Sequence, residues 1–237
     1  MTAARSAGVS GKSPPASPVS GWREIRSVFL DMDGTLLDLR FDNHFWLSHV
    51  PARFAEKHGL SPEEGVARCL ARYKAVEGSL DWYCVDYWTR ELELDIALLK
   101  EEVAHLIAVH PHVEPFLRRL RGSGRRVALV TNAHHKSLSL KLRTTGIEPH
   151  FDAIVCAHDV GAPKEDPSFW GRLQGIEPFD ARRTLLVDDS LAVLRSARAY
   201  GIAHLLGVRR PDSGQPPKAL EEFDAIADFS ELRWDPD

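Results

Sequence analysis

Residues Val28–Thr35 read VFLDMDGT. A short apolar run closes on two aspartates, Asp31 and Asp33, and then on Gly34. The run from Ser27 to Met32 predicts a buried β-strand with the acids at its C-terminal tip. Three later runs look alike: VALV at Val127–Val130, AIVCA at Ala153–Ala157 and TLLV at Thr184–Val187. HLLGV at His204–Val208 is a weaker fifth. Helical patterns lie between them, over Val113–Arg121, Lys136–Thr145 and Leu191–Tyr200. Each is followed by a glycine (Gly122, Gly146, Gly201), which suits the left-handed position just past a helix end. Strands alternating with helices predict an α/β fold, a Rossmann-like parallel sheet with helices on both faces.

The stretch between the first strand and Val113 differs in character. Ser61-Pro62-Glu63-Glu64 sets a capping residue, a proline at the first helical position and a glutamate at the third, and predicts a helix through about Val76. Asp95 predicts the cap of another, from Ile96 to Val109. Phe45, Trp46, Trp82, Tyr83, Tyr87 and Trp88 concentrate here, and aromatics at helical spacing are first of all core. Residues 39–111 are therefore expected to form an all-helical cap inserted into a core of residues 22–38 and 112–237. Residues 1–21 are rich in Ser, Ala, Gly and Pro and are expected to be a disordered tail without the apolar segment of a secretory signal. The segment after Arg210 is expected to lie on the surface with one short helix.

Four sets of polar groups follow four strands: Asp31 and Asp33; Thr131 and Asn132; Lys164, in GAPKEDP; and Asp188, Asp189 and Ser190. In an open parallel sheet the C-terminal strand ends share one crevice, so these groups converge although they are spread along the chain. Crowded carboxylates repel, and a hard divalent cation with oxygen ligands, magnesium, removes the conflict. Lys164 and the Thr131 hydroxyl can hold a phosphate that carboxylates alone would reject. Gly34 allows a sharp turn and is expected to leave main-chain amides facing anionic oxygens. One carboxylate can attack phosphorus, and a second, two residues on, can act as general acid. Taken singly each signal has a bland reading: a turn for Asp31-x-Asp33, a helix cap for Asp188–Ser190, a solvated lysine for Lys164. Four in order, each directly after a strand, form a chemical set.

The 237 residues carry 30 basic and 34 acidic side chains, a net charge of −4, so nothing calls for nucleic acid as a partner. No apolar run approaches membrane-spanning length. Cys69, Cys84 and Cys156 lack metal-ligand spacing and read as buried filler in a reduced, cytoplasmic setting. His134-His135 and His110-Pro111-His112 read as a polar rim and a hinge.

VFLDMDGT, with Thr131, Lys164 and Asp188-Asp189, resembles the four motifs of the haloacid dehalogenase-type hydrolases, over essentially the whole chain after about residue 22. The resemblance implies that Asp31 is the nucleophile and Asp33 the acid–base. Thr131 and the Asn132 backbone would bind phosphate, and Lys164 would bridge phosphate and nucleophile. Magnesium would be held by the Asp31 side chain, the Asp33 carbonyl oxygen, Asp189 and Asp188, and the helical insertion would be a type 1 cap. DLRFDNHFW at Asp38–Trp46, DWYCVDYW at Asp81–Trp88, TNAHHKSLSLKL at Thr131–Leu142 and PKED at Pro163–Asp166 look like the bacterial GMP/IMP nucleotidase branch, although many family members have proline where this chain has Glu165.

The expected function is thus magnesium-dependent phosphomonoester hydrolysis through an aspartyl phosphate, acting on a purine nucleoside monophosphate such as GMP or IMP. Dehalogenases lack an aspartate at the position of Asp33, which favours phosphoester chemistry. The alternatives are a phosphatase for a sugar phosphate or phosphoglycolate, a phosphomutase, and a phospho-accepting receiver-like or binding module. Receivers lack a large cap, and a binding module is expected to have lost one of Asp31, Asp33, Lys164 or Asp189.

Overall fold

The computed structural model describes Val19 and residues 21–232, so most of the expected N-terminal tail lies outside the described residues. Val19 itself is buried in the core beside Trp22 and Ile25. Six parallel strands form the sheet, in the order β3-β2-β1-β4-β5-β6. They are β1 (Ser27–Leu30), β2 (Arg126–Thr131), β3 (Ala153–Cys156), β4 (Thr184–Asp188), β5 (His204–Val208) and β6 (Ala225–Ile226). The sequence pattern had implied five.

Both faces of the sheet are covered, which is why the strands read as continuous apolar runs. Val28, Leu30, Val127, Leu129, Leu185 and Val187 point to one side. There they meet Phe116, Leu117 and Leu120 of the helix Val113–Arg121 and Leu138 and Leu142 of the helix His135–Thr145. Phe29, Ala128, Val130 and Leu186 point to the other, against Phe169, Trp170 and Leu173 of the helix Phe169–Leu173 and Val193, Leu194 and Ala197 of the helix Leu191–Tyr200. The alternation of side chains along each strand assigns successive residues to opposite faces.

The helical insertion begins with Arg40–His44, runs through a π-helical turn at Phe45–His49 and continues as Val50–His58, Pro62–Ala75, Leu80–Tyr83, Val85–Leu92 and Ile96–Glu102. Ser61 and Glu64 make the reciprocal capping contacts that their spacing implies. The insertion has an apolar core of its own, with Phe41, Phe45, Phe54, Tyr73, Trp88 and Leu99 among its members. Its entry and exit segments lie side by side: Leu37 bridges Val109, the Asp38 amide donates to the Ala108 carbonyl, and the His110 amide donates to the Leu36 carbonyl.

Two expectations are corrected here. The helix from Ile96 stops at Glu102 rather than Val109, giving way to a 3-10 turn at Ala104–Leu106. Pro111 disfavours helical backbone at His110, and the segment is taken up instead by pairing with the entry segment. Among the described residues after Arg210 there is no surface helix: they add β6 to the sheet edge, bury Leu220, Phe229 and Leu232, and form a 3-10 turn at Phe229–Glu231. Among the described residues no helix is long and apolar enough to cross a membrane.

Gly65 marks a close helix contact in the insertion, between Pro62–Ala75 and Val50–His58. A Cβ there would stand 2.7 Å from the Ala55 Cβ and 2.8 Å from the Pro51 carbonyl oxygen. Gly65→Val is therefore expected to lower stability by about 1–3 kcal/mol through overpacking, as measured by urea denaturation. An unchanged midpoint would show that the two helices separate without cost.

Candidate active site

The strand ends bring the expected groups together. Lys164 enters from the loop after β3 and is 2 % exposed. Its ammonium donates to Asp31 Oδ1 at 2.5 Å, to Asp188 Oδ2 at 2.6 Å and to the Val130 carbonyl at 3.1 Å. Burial, and then Asp188 beside it, push the Asp31 carboxyl up to about 6 against the pull of Lys164. Asp188 is raised by burial and by Asp189. The two carboxylates in turn raise Lys164 and keep it charged against its burial. Asp31, Asp188 and Asp189 each present a carboxylate oxygen, all within 4.8 Å of one another. Three hard oxygen donors against one buried ammonium leave surplus negative charge, which fits a divalent cation such as magnesium.

Asp33 stands apart from this group. Its carboxylate accepts from Lys141 Nζ at 2.6 Å and is not among the three that converge. Gly34 makes the turn possible, with φ +82 and a would-be Cβ 2.9 Å from Asp189 Cγ. Its amide is not free for an anion, as the sequence had suggested, because it donates to the Leu37 carbonyl at 2.8 Å.

Thr131 and Asn132 sit at the end of β2. The Thr131 hydroxyl accepts from the Ala133 amide at 3.0 Å, which leaves its proton available. The Asn132 side chain is a bracket: its oxygen accepts from the Lys164 amide at 2.8 Å and its nitrogen donates to Glu165 Oε2 at 2.9 Å. Glu165 Oε1 accepts from the Tyr83 hydroxyl of the insertion at 2.7 Å. A glutamate in that place thus ties the Lys164 loop to the helical layer.

Sequence reasoning missed three lysines. Lys141 is 1 % exposed and donates to Asp33 and, at 2.6 Å, to Asp42 Oδ2 of the insertion. Lys100, also buried, donates to Asp42 Oδ1 at 3.3 Å and lies 4.2 Å from the Phe45 ring centroid. Burial pushes Lys100 down to about 8, while Asp33 and Asp42 outweigh burial at Lys141 and raise it. Asp33 is pushed up to about 6 by burial, and then by Asp42 and Asp31, with Lys141 opposing. Lys218 donates to Asp189 Oδ2 at 2.8 Å. The helical period around Lys141 carried one hint, since it places Lys141 on the same face as the buried Leu138 and the half-buried Thr145.

A cavity of about 630 Å³ opens over these groups and is walled on the insertion side by Trp46, Tyr73, Trp82, Tyr83 and Trp88. Phe45 is sealed in the insertion's own core. Of the two histidine pairs, His134 lines the cavity, while His110 binds the Pro211 carbonyl beside the hinge at 3.1 Å.

Residues 25–201 match the model of the haloacid dehalogenase-like hydrolases. The chain is 40% identical over 211 residues to the GMP/IMP nucleotidase YrfG of Escherichia coli (strain K12), covering 89% of this chain and 95% of that protein. It is 30% identical over 203 residues to phosphoglycolate phosphatase 1 of Pseudomonas aeruginosa, covering 79% and 71% of the two. Among solved structures, the HAD phosphatase from Thermococcus onnurineus superposes with a TM-score of 0.73 at 26% identity, over 88% of this chain and 96% of that one.

The pairing of Lys164 sets an expectation for stability. Lys164→Met strands two buried carboxylates and is expected to cost about 3–5 kcal/mol in urea denaturation of the metal-free protein at pH 8. A loss below about 1 kcal/mol would mean that the carboxylates find other partners.

Proposed function

This chain belongs to the haloacid dehalogenase-like hydrolase family and is a phosphoric monoester hydrolase, and on that premise we propose that it is a magnesium-dependent 5'-nucleotidase for GMP and IMP. One observation carries the substrate: the charged strand tips and the wall of Trp46, Trp82, Tyr83 and Trp88 face a single cavity. A phosphate at the tips leaves its leaving group against the aromatic wall, and a purine offers the broad face that such a wall stacks on. The identity to a GMP/IMP nucleotidase over most of both chains points the same way.

Asp31 is the nucleophile in this reading. Its carboxylate attacks phosphorus, the bond from phosphorus to the ester oxygen breaks, and the phosphoryl group passes to Asp31. Asp33, protonated beforehand, gives its proton to the departing 5'-oxygen. Asp33 then takes a proton from water, the water oxygen attacks phosphorus, and the bond to Asp31 breaks to release phosphate. Thr131, the Asn132 amide and Lys164 hold the phosphate oxygens. Magnesium, when bound by Asp31, Asp188, Asp189 and the Asp33 carbonyl, supplies positive charge that keeps the nucleophile ionised and offsets repulsion from the incoming phosphate. Lys141 is a positioning residue that holds the Asp33 carboxylate and ties it to Asp42. The helical insertion acts as a cap that closes over the cavity and expels water.

The substrate reading predicts a preference. A site that donates to a purine 6-oxo group leaves that donor unpaired against the 6-amino group of AMP, a loss of about 1–3 kcal/mol. GMP and IMP are then expected to exceed AMP in kcat/KM by about tenfold or more, with activity lost on chelation and restored by magnesium. A clear preference for phosphoglycolate or a sugar phosphate in the same panel would refute the nucleotidase reading and keep the phosphatase. The acid role predicts a second result. Asp33→Asn should lower kcat/KM, which reports the first phosphoryl transfer, far more for GMP than for p-nitrophenyl phosphate, whose leaving group needs no proton, and equal losses in kcat/KM would remove Asp33 from that role.

A further inference from the structure

Beside the carboxylate centre lies a second cluster with different donors. Cys84, at the start of the insertion helix Val85–Leu92, meets His134, which caps the helix His135–Thr145, and His158, in the short helix Ala157–Val160 after β3. One sulfur and two imidazole nitrogens lie within 4.8 Å of one another. The three residues come from three separate elements, and one of those elements belongs to the insertion.

His158 is the telling member. Both of its ring nitrogens are buried and neither has a hydrogen-bond partner. A neutral imidazole then keeps a donor and an acceptor unsatisfied, which a buried polar group rarely tolerates without a ligand. Its neighbours do not relieve this. The His134 and His158 rings pack edge to face with centroids 4.7 Å apart. The Cys84 sulfur accepts the Tyr87 amide at 3.4 Å.

The adjacent trio of His135, Cys156 and Asp159 shows the contrast. His135 Nε2 lies 3.3 Å from the Cys156 sulfur and 3.1 Å from Asp159 Oδ1, so those groups satisfy one another. Cys84, His134 and His158 do not.

We propose that Cys84, His134 and His158 form a second metal site, for a zinc-like transition ion, distinct from the oxygen-lined magnesium centre. A thiolate and two imidazoles are the donors that zinc selects, and a water completes the tetrahedron. Binding releases the Cys84 proton. His134 Nδ1 accepts the Lys136 amide at 3.3 Å, a long bond, and Nε2 lies 3.7 Å from Asp86 Oδ2, so whichever nitrogen meets the ion gives up only a weak contact. Because Cys84 sits on the insertion and the histidines on the sheet domain, a bound ion pins the one to the other next to Asn132.

Cobalt(II) reports the site, because only a thiolate ligand gives a near-ultraviolet sulfur-to-cobalt charge-transfer band. The full chain, stripped of metal and then saturated with magnesium to occupy the carboxylate centre, is titrated with cobalt(II) and back-titrated with zinc(II). The expected result is one saturating band that zinc abolishes, absent in Cys84→Ser and retained in Cys156→Ser. His158→Gln should weaken cobalt binding by at least about tenfold, since loss of even an outer partner of a metal ligand costs about 10–100-fold. No band in the wild-type chain, a band that survives Cys84→Ser, or unchanged affinity in His158→Gln would overturn the proposal.

Discussion

An ammonium buried between two carboxylates is the constraint on which the rest of this molecule depends. Lys164 lies under the sheet's C-terminal edge with Asp31 and Asp188 on either side, all three nearly inaccessible to water. Taking such charges out of water is costly unless geometry and further hydrogen bonds compensate. The fold supplies both. β1 and β4 are neighbours in exact-length register up to Leu30 and Val187, so Asp31 and Asp188 emerge side by side. The Val130 carbonyl and the Asn132 side chain fix the lysine from β2. The parallel sheet is thus a frame that forces like charges together and keeps one cation among them.

Crowding of this kind is poor design for stability and good design for phosphoryl chemistry. A charge-rich centre with surplus carboxylate recruits a hard cation, and a preorganised set of donors requires no rearrangement as charge develops. Gly34 belongs to the same design. Its missing side chain lets the loop after β1 pass within van der Waals distance of Asp189, where any Cβ would collide. The loop can then carry Asp31 and Asp33 on one short turn while sending the two side chains to different partners.

Those partners connect the sheet domain to the helical insertion by two partly buried routes. One runs from Asp33 through Lys141 to Asp42 and Lys100. The other runs from Lys164 through Asn132 and Glu165 to Tyr83. Both join a strand-tip residue to a residue on the aromatic side of the cavity. The strand-tip groups and the aromatic side of the cavity are therefore held by shared hydrogen bonds as well as by the hinge at Leu37 and Val109. In such a low-dielectric setting each bond in the chain strengthens its neighbours.

Much of this was legible in one dimension. The strands at Ser27, Val127, Ala153, Thr184 and His204 announce themselves because burial on both faces demands unbroken apolar runs, and a parallel sheet then places the residues after them in one crevice. Asp31, Thr131, Lys164 and Asp188 follow from that alone. The helix ends at Ser61, Gly146 and Gly201 were legible for the same reason: capping is a local matter of backbone groups and one nearby residue. What only the tertiary structure decided is pairing across distance. Lys141 lies 108 residues from Asp33 and reads as one more solvated helix lysine, Glu165 meets Tyr83 across 82 residues, and β6 is two residues long. Periodicity reports which face of an element is buried, but a buried ion pair depends on where two separate elements meet, and that is settled only when the whole core packs.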